Sequence, residues 1–493
     1  MKQQHLFSIF LLCITLLFAC KKDKSTEERI DYNTLTEKRI IEVSEQEIIK
    51  DEDLPPLERL LEKVTQKETK DKLTLLLADV KQVKEILPAM VQLRTNPEID
   101  FEGKYKEIQA LLNQISNGLP RKARLQKDLE DAKGSYNTEE VEFDNTKIPG
   151  SEPFVDYITK FLEKTYKIKP IAGKPNRFLR SDIEKVDSLA SPMTLLNNIK
   201  KFKGLKYLSV AIVQGPADFN SLIHLETVKI GCDQEVKIDQ LQKLKHLEIS
   251  QSSQVSWDFS GKTPLLESLT IGEGLSNKIT TLLLPNQKNL KSLHIGTYLN
   301  PPKKLTRLVV TGNGNTSVSG LLFESELEEL RLSGITGMLG INGNRPNNAP
   351  LKIKNFELTA SPNIERLDIG GLDLPKAPDL SQFTKLKIIT IRPISISSKE
   401  LELNELLSLM NLKNQQPSLE QFSADFIRIS NGSLDLGKFS KLKTVTISSN
   451  TQAPLRKLIL NRAISKMVDP GDGSCDDCGG IYLDGNAEII FTD

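Results

Sequence analysis

From Leu205 onward one short apolar pattern returns along most of the remaining chain. Leu205-Lys206-Tyr207-Leu208-Ser209-Val210 is followed by copies opening at Leu225, Leu244, Leu266 and Leu290, each reading L-x-x-L-x-L or a close variant. Leu305, Leu327, Ile364, Leu386, Leu419, Leu442 and Leu455 open further copies, with most starts 19–24 residues apart. Alternation places the apolar residues on one side of a short strand and the x residues on the other. A strand this short cannot bury its apolar side alone, so the copies must stack on one another. A second half-motif precedes several copies: Asp218-Phe219-Asn220, Asp379-Leu380-Ser381 and Asp435-Leu436-Gly437, each followed two residues later by another apolar residue. It reads as the polar return turn of each coil, plugged by apolar residues from below.

The repeated core resembles the leucine-rich repeat family, over more than half of the chain. The resemblance implies an irregular parallel-sheet solenoid over 196–465, with the x residues on a concave, solvent-facing sheet. The asparagine usual at the ninth position stands at Asn313 and Asn450, but Ser252, Gly274 and Tyr298 replace it elsewhere. Two long intervals predict insertions: Gly334 to Pro350, rich in Gly and Asn, and a segment with a helix over Glu400 to Leu412, capped by Ser397 or Ser398. Loops on rigid scaffolds carry function disproportionately, which makes Gly340 to Asn348 a candidate recognition element.

Aligning the first x position gives Lys206, Glu226, Lys245, Glu267, Lys291, Thr306, Glu328, Glu365, Lys387, Glu420, Lys443 and Arg456. The signs alternate almost throughout. Stacked strands lie roughly 5 Å apart, so this concave-face column reads as ion pairs that hold coil register. A charged trough for a zwitterionic or peptide ligand is the competing reading. The last x position, which includes Ser209, Lys229, Glu248, Thr270 and His294, carries no run of tyrosine or tryptophan. That scarcity of flat aromatic platforms argues against a broad polysaccharide trough.

Ahead of the repeats the apolar period changes to that of helices. Leu57, Leu60, Leu61 and Val64 follow Pro55-Pro56, and Leu73, Leu76, Leu77, Val80, Val83 and Ile86 continue the spacing. A helical bundle is expected over 54–135. A linker with a helix near 153–166 and the solenoid's N-terminal cap follow over 136–195. The fold class is therefore α+β. Residues 20–53 read as a charged, mostly solvated tether, with a short strand at most.

The first residues carry an address. Lys2 precedes an apolar run from Leu6 to Phe18, too short to span a bilayer comfortably. Leu17-Phe18-Ala19-Cys20 resembles the lipobox of bacterial lipoproteins, and Lys21-Lys22-Asp23-Lys24 resembles the charged tether of Bacteroidota-type members. The resemblance implies a signal peptide at 1–19, lipidation of Cys20 and an outer-membrane, surface-facing location. With 66 basic and 65 acidic residues, and only Lys2 charged within the leader, the mature chain is neutral. It has no long-range field to gather nucleic acid, so none is expected as a partner.

Nothing marks an enzyme. Beyond the leader only His224, His246 and His294 occur, and no metalloprotease, nucleophile-elbow, phosphate-loop or dinucleotide motif is present. The acidic stretch Asp469 to Gly480 contains Cys475-Asp476-Asp477-Cys478. A local disulfide or exposed thiol pair suits an oxidising envelope, while Asp469, Asp472, Asp476 and Asp477 offer oxygen donors for calcium. Redox and zinc readings lack, respectively, a helix N-terminus and further soft ligands. Ile481 to Leu483 and Glu488 to Phe491, joined by Asp484-Gly485-Asn486, predict a β-hairpin that caps the solenoid over 466–493. The expected protein is a noncatalytic, lipid-anchored envelope module for a protein or peptide ligand, without a cofactor. The alternative is a structural brace for a neighbouring lipoprotein or transporter.

Overall fold

In the computed structural model the described residues are 31–493 apart from 97–98, 146–152, 215–216, 233, 277, 297–303, 345–348, 413–417, 430, 450–453, 467–479, 484–486 and 493. Cys20 and the Asp469–Cys478 cluster lie outside them. The chain forms two compact units, Met1–Ser135 and Tyr136–Asp493.

The first unit is helical: α1 (Tyr32–Ser44), α2 (Leu54–Glu62), α3 (Lys67–Thr95), α4 (Phe101–Gln114) and α5 (Arg121–Thr138). Proline opens α2, where the first N–H groups have no intrahelical partner to lose. Leu73, Leu76, Leu77, Val80, Val83 and Ile86 of α3 are buried at helical spacing against Ile108 and Leu112 of α4. The sequence reading of a solvated tether differs at α1. Asp31 caps that helix by accepting from the Asn33 N–H at 3.0 Å, and Ile40 is fully buried. The apolar patches at Ile40 and Ile49 belong to a core rather than to a strand.

The second unit is a parallel β-solenoid with two strand-bearing faces around one core. On the first face Ser188–Leu195, Tyr207–Gln214, Thr227–Cys232, His246–Gln251, Ser268–Ile271 and Ser292–Ile295 pair in parallel, one coil to the next. The ladder continues through residues 317–319 and 336–342 to Asn363–Gly370, Ile388–Ile391, Gln421–Ile427 and Thr444–Ser449. The second face carries Ser256–Asp258, Thr281–Leu284, 307–311 and 327–333, then Leu351–Thr359. Farther on, Ser433–Leu436 and Lys457–Asn461 pair on that face. Strands of both faces send alternate side chains into the same interior. Leu205, Leu208, Leu225, Val228, Leu266 and Leu269 are fully buried from the first face, as are Leu282, Leu308 and Leu330 from the second.

The return half-motif forms Asx turns. Asp218, Asp258, Asp379 and Asp435 accept from the N–H two residues on, at 2.8–3.0 Å. These short-range bonds turn the chain without any partner coil, while Phe219, Leu380 and Phe383 plug the core beneath. At the N-terminal end, α6 (Phe154–Tyr166) contributes to an aromatic cluster. Phe143 lies 5.8, 5.5 and 5.1 Å from Phe154, Phe178 and Phe202.

Several expectations change. Leu305, Leu327 and Leu455 open strands of the second face, so Thr306, Glu328 and Arg456 leave the first-face column. Both faces bury alternate residues in one core, and a strand pattern alone cannot tell them apart. The irregular intervals of 15, 37 and 13 residues mark these half-coil steps. The Gly334-to-Pro350 segment is largely coil rather than insertion, because strand Leu327–Gly343 runs through it from the second face to the first. The later helix is α7 (Leu403–Leu409), preceded by Glu402 at its cap position. Ser398 instead donates its N–H and hydroxyl to Asp373, at 2.8 and 2.9 Å. The C-terminal strands are not a hairpin. Ile481–Leu483 pairs in parallel with the first face and Glu488–Thr492 with the second, adding one more coil.

Close stacking makes some glycines obligatory. Gly320 has φ 82°, and a Cβ there would strike the Ile295 carbonyl of the preceding coil. Gly340 lies in open space, its Cβ position meeting only Asn342 Nδ2 at 3.8 Å. Gly320→Ala is expected to cost about 1–3 kcal/mol from strained backbone alone, whereas Gly340→Ala leaves the melting temperature nearly unchanged. Thermal denaturation of the two variants checks the contrast.

Candidate functional site

The first-face charge column forms two runs. Lys206, Glu226, Lys245, Glu267 and Lys291 occupy consecutive coils, with Lys245–Glu226 at 2.7 Å and Lys291–Glu267 at 2.5 Å. Glu365, Lys387, Glu420 and Lys443 make the second run, with Lys387–Glu365 at 3.2 Å and Lys443–Glu420 at 2.8 Å. Between the runs the register places Thr316 and Ile335, both fully buried, so the column is interrupted. Thr316 donates instead to the Leu290 carbonyl, at 2.5 Å.

The residues that left this column have other surroundings. Glu328 pairs with Lys354 on the second face, at 2.6 Å. Beside it Glu329, its side chain only 10% exposed, bridges Arg307 at 2.5 Å and Arg331 at 2.8 Å. Arg456 donates its backbone N–H to Gly432 O, at 2.7 Å. Lys354 and Glu329 were missed by alignment on leucines because the repeat was followed along one face only.

The ion pairs set the ionisation of their members. Hydrogen bonds from Lys245, Lys291 and Lys443 hold the carboxyls of Glu226, Glu267 and Glu420 below their ordinary range. Glu226 in turn raises the Lys245 ammonium. These groups are solvent-exposed, so the pairs contribute little individually and are screened by salt. Their arrangement penalises slipped stacking more than it deepens the native state.

Where the column stops, the first face opens into a cleft of about 720 Å³, reaching from His294 across four coils to Arg392. Its open centre is Gly340, in register with Asp368 and Thr390 of the following coils. Leu322 and the exposed Met338 supply apolar wall. Asp368, on the adjacent strand, accepts from Arg392 at 2.5 Å. The Arg392 guanidinium also reaches Asn342 Oδ1 at 3.1 Å and lies 3.7 Å from Asp425. It therefore ties together side chains from four coils. Gly370 makes this possible, because a Cβ at that position would collide with the Arg392 side chain. The candidate recognition stretch at Gly340 thus lines the cleft from within a strand rather than from a loop.

Smaller hollows of about 360 and 340 Å³ lie farther up the same face, on either side of the Lys229–Glu248 ion pair at 3.2 Å. Tyr157 of α6 lines the first of them. His246 shares a hydrogen bond with Ser268 at 3.0 Å, and His294 with Ser319 at 2.8 Å. Lys243 Nζ lies 3.0 Å from His224 Nδ1. Cys232 is a buried free thiol. Among the described residues no three His, Cys, Asp or Glu side chains converge to hold a metal ion.

No family model matches the chain, and no curated protein does. Among solved structures, an internalin from Listeria monocytogenes is similar to 69% of this chain and 90% of its own length, at 14% identity and a TM-score of 0.32.

Depressed carboxyl pKa values fix the sign of an acid dependence. The stability contributed by Glu226, Glu267 and Glu420 is fully present above the unfolded value of about 4.3 and is lost as pH falls through their lower folded values. Lys245→Glu, which sets carboxylates on three consecutive coils, should lower the melting temperature at pH 7 in low salt. The loss should shrink in high salt and shrink again below pH 4. Melting curves over pH and ionic strength read out all three effects.

Proposed function

We propose that this chain is a noncatalytic binding module that recognises a protein or peptide on the first face of its solenoid. The observation that carries the reading is the cleft at Gly340. Rigid, mutually paired strands present it outward, and its polar groups are fixed by neighbouring coils before any ligand arrives. Preorganisation of this kind reduces the ordering cost of association. The charged columns above and below suit it, since paired side chains discriminate by complementarity more than by raw affinity.

The module is carried, in this proposal, by a lipid on Cys20 at the outer membrane, facing the cell exterior. The support is the order of Lys2, the apolar run to Phe18, Ala19-Cys20 and the charged stretch behind it. No helix among the described residues is long and apolar enough to cross a membrane. Several acyl chains on one cysteine give stable attachment where one gives only reversible binding.

Cys20→Ala is expected to release the chain from the membrane fraction and abolish labelling by a fatty-acid analogue. Retention of both would remove the anchor from the proposal. Protease treatment of intact cells should then degrade the wild-type chain, whereas protection would place it on the inner side of the membrane.

A further inference from the structure

We infer that the Gly340 cleft seats a long basic side chain, lysine or arginine, projecting from an apolar stretch of the protein partner. The inference rests on the binding-module reading and names the chemistry its central site selects. Three observations converge on it.

The first is space. At Gly340 the strand carries no side chain, and the position beyond it is open. The cleft's volume lies within the roughly 300–1,000 Å³ of ligand pockets. The second is the wall. Met338 stands 67% exposed at the rim, and with Leu322 it gives an aliphatic stem something to lie against, as lysine and arginine stems do when their charged ends stay in polar surroundings.

The third is charge. Arg392 faces two carboxylates, Asp368 and Asp425, so this group of three carries a net negative charge. Asn342 also accepts from Arg392, and the guanidinium is thereby committed to the protein rather than to an anionic ligand. Asp368 lines the cleft and uses one oxygen, Oδ1, toward Arg392. As a carboxylate it keeps further acceptor capacity, which a cationic group can fill with a charge-assisted hydrogen bond. An acidic side chain in the same place would meet Asp368 with like charge, so the site discriminates by repulsion as well as attraction.

The test uses the detergent-solubilised full chain and a displayed random library of twelve-residue peptides. Selected peptides should carry a lysine or arginine flanked by apolar residues. For the best of them, replacing the basic residue with norleucine, which keeps a four-carbon stem without the charge, should weaken binding at least tenfold. Asp368→Asn should weaken the basic peptide by a similar factor and leave the norleucine peptide unaffected. Gly340→Trp, which fills the open centre, should abolish binding of both while retaining the wild-type melting temperature. If selected peptides bind the Gly340→Trp protein as well as wild type, or norleucine binds as tightly as lysine, the basic-side-chain inference is overturned and the binding module stands. If wild type enriches no peptide, both fall.

Discussion

The solenoid depends on apolar side chains that no single coil can shield. Leu208 and Val228 are each fully buried, yet each belongs to a short strand whose inward side would otherwise lie open. Burial arrives only when the coil before and the coil after are in place, so stability is shared between neighbours rather than held within a repeat. Because both faces of each coil feed one interior, the strands must stay in parallel register. A slip of one residue would turn leucines outward and charges inward.

That requirement explains much of what the outer surface carries. On the first face lysine and glutamate alternate from coil to coil, and the observed pairs are the ones that correct stacking produces. Solvent screens each of them, so their benefit lies in opposing misalignment. Where the column lapses, other devices hold neighbouring coils together. Buried Thr316 reaches the Leu290 carbonyl, and Arg392 links Asn342, Asp368 and Asp425 across the surface. Replacing a regular ladder with one branching side chain leaves room beside it. The cleft is a by-product of how this part of the stack is tied, and the tie also lends it fixed polar groups.

The same packing logic sets the ends. Four phenylalanines, including Phe154 of α6, gather at the N-terminal side of the sheet. At the other end the last strands extend both faces by one coil instead of folding on each other. Two strands separated by a short polar turn can pair together or each join a waiting edge. Here two unpaired edges were available and offered longer ladders.

Much was legible in the amino-acid sequence because it is governed by short-range pattern. Alternating leucines fix strands and their inward sides, helical spacing fixes α3 and α4, and the aspartates at 218, 379 and 435 fix turns through bonds two residues long. Other features were decided only by tertiary structure. Whether Leu305 or Leu455 belongs to the first or the second face depends on which coil it meets, since both faces share the same alternation. Helix α1 exists because Ile40 finds an apolar surface to cover. Arg392 and Asn342 lie 50 residues apart in sequence. Their contact requires an intervening coil with glycine at position 370, a coincidence of three turns that no local pattern encodes. Sequence determined the repeating unit and its inward side; stacking decided which surface residues became neighbours, because that depends on the register between coils.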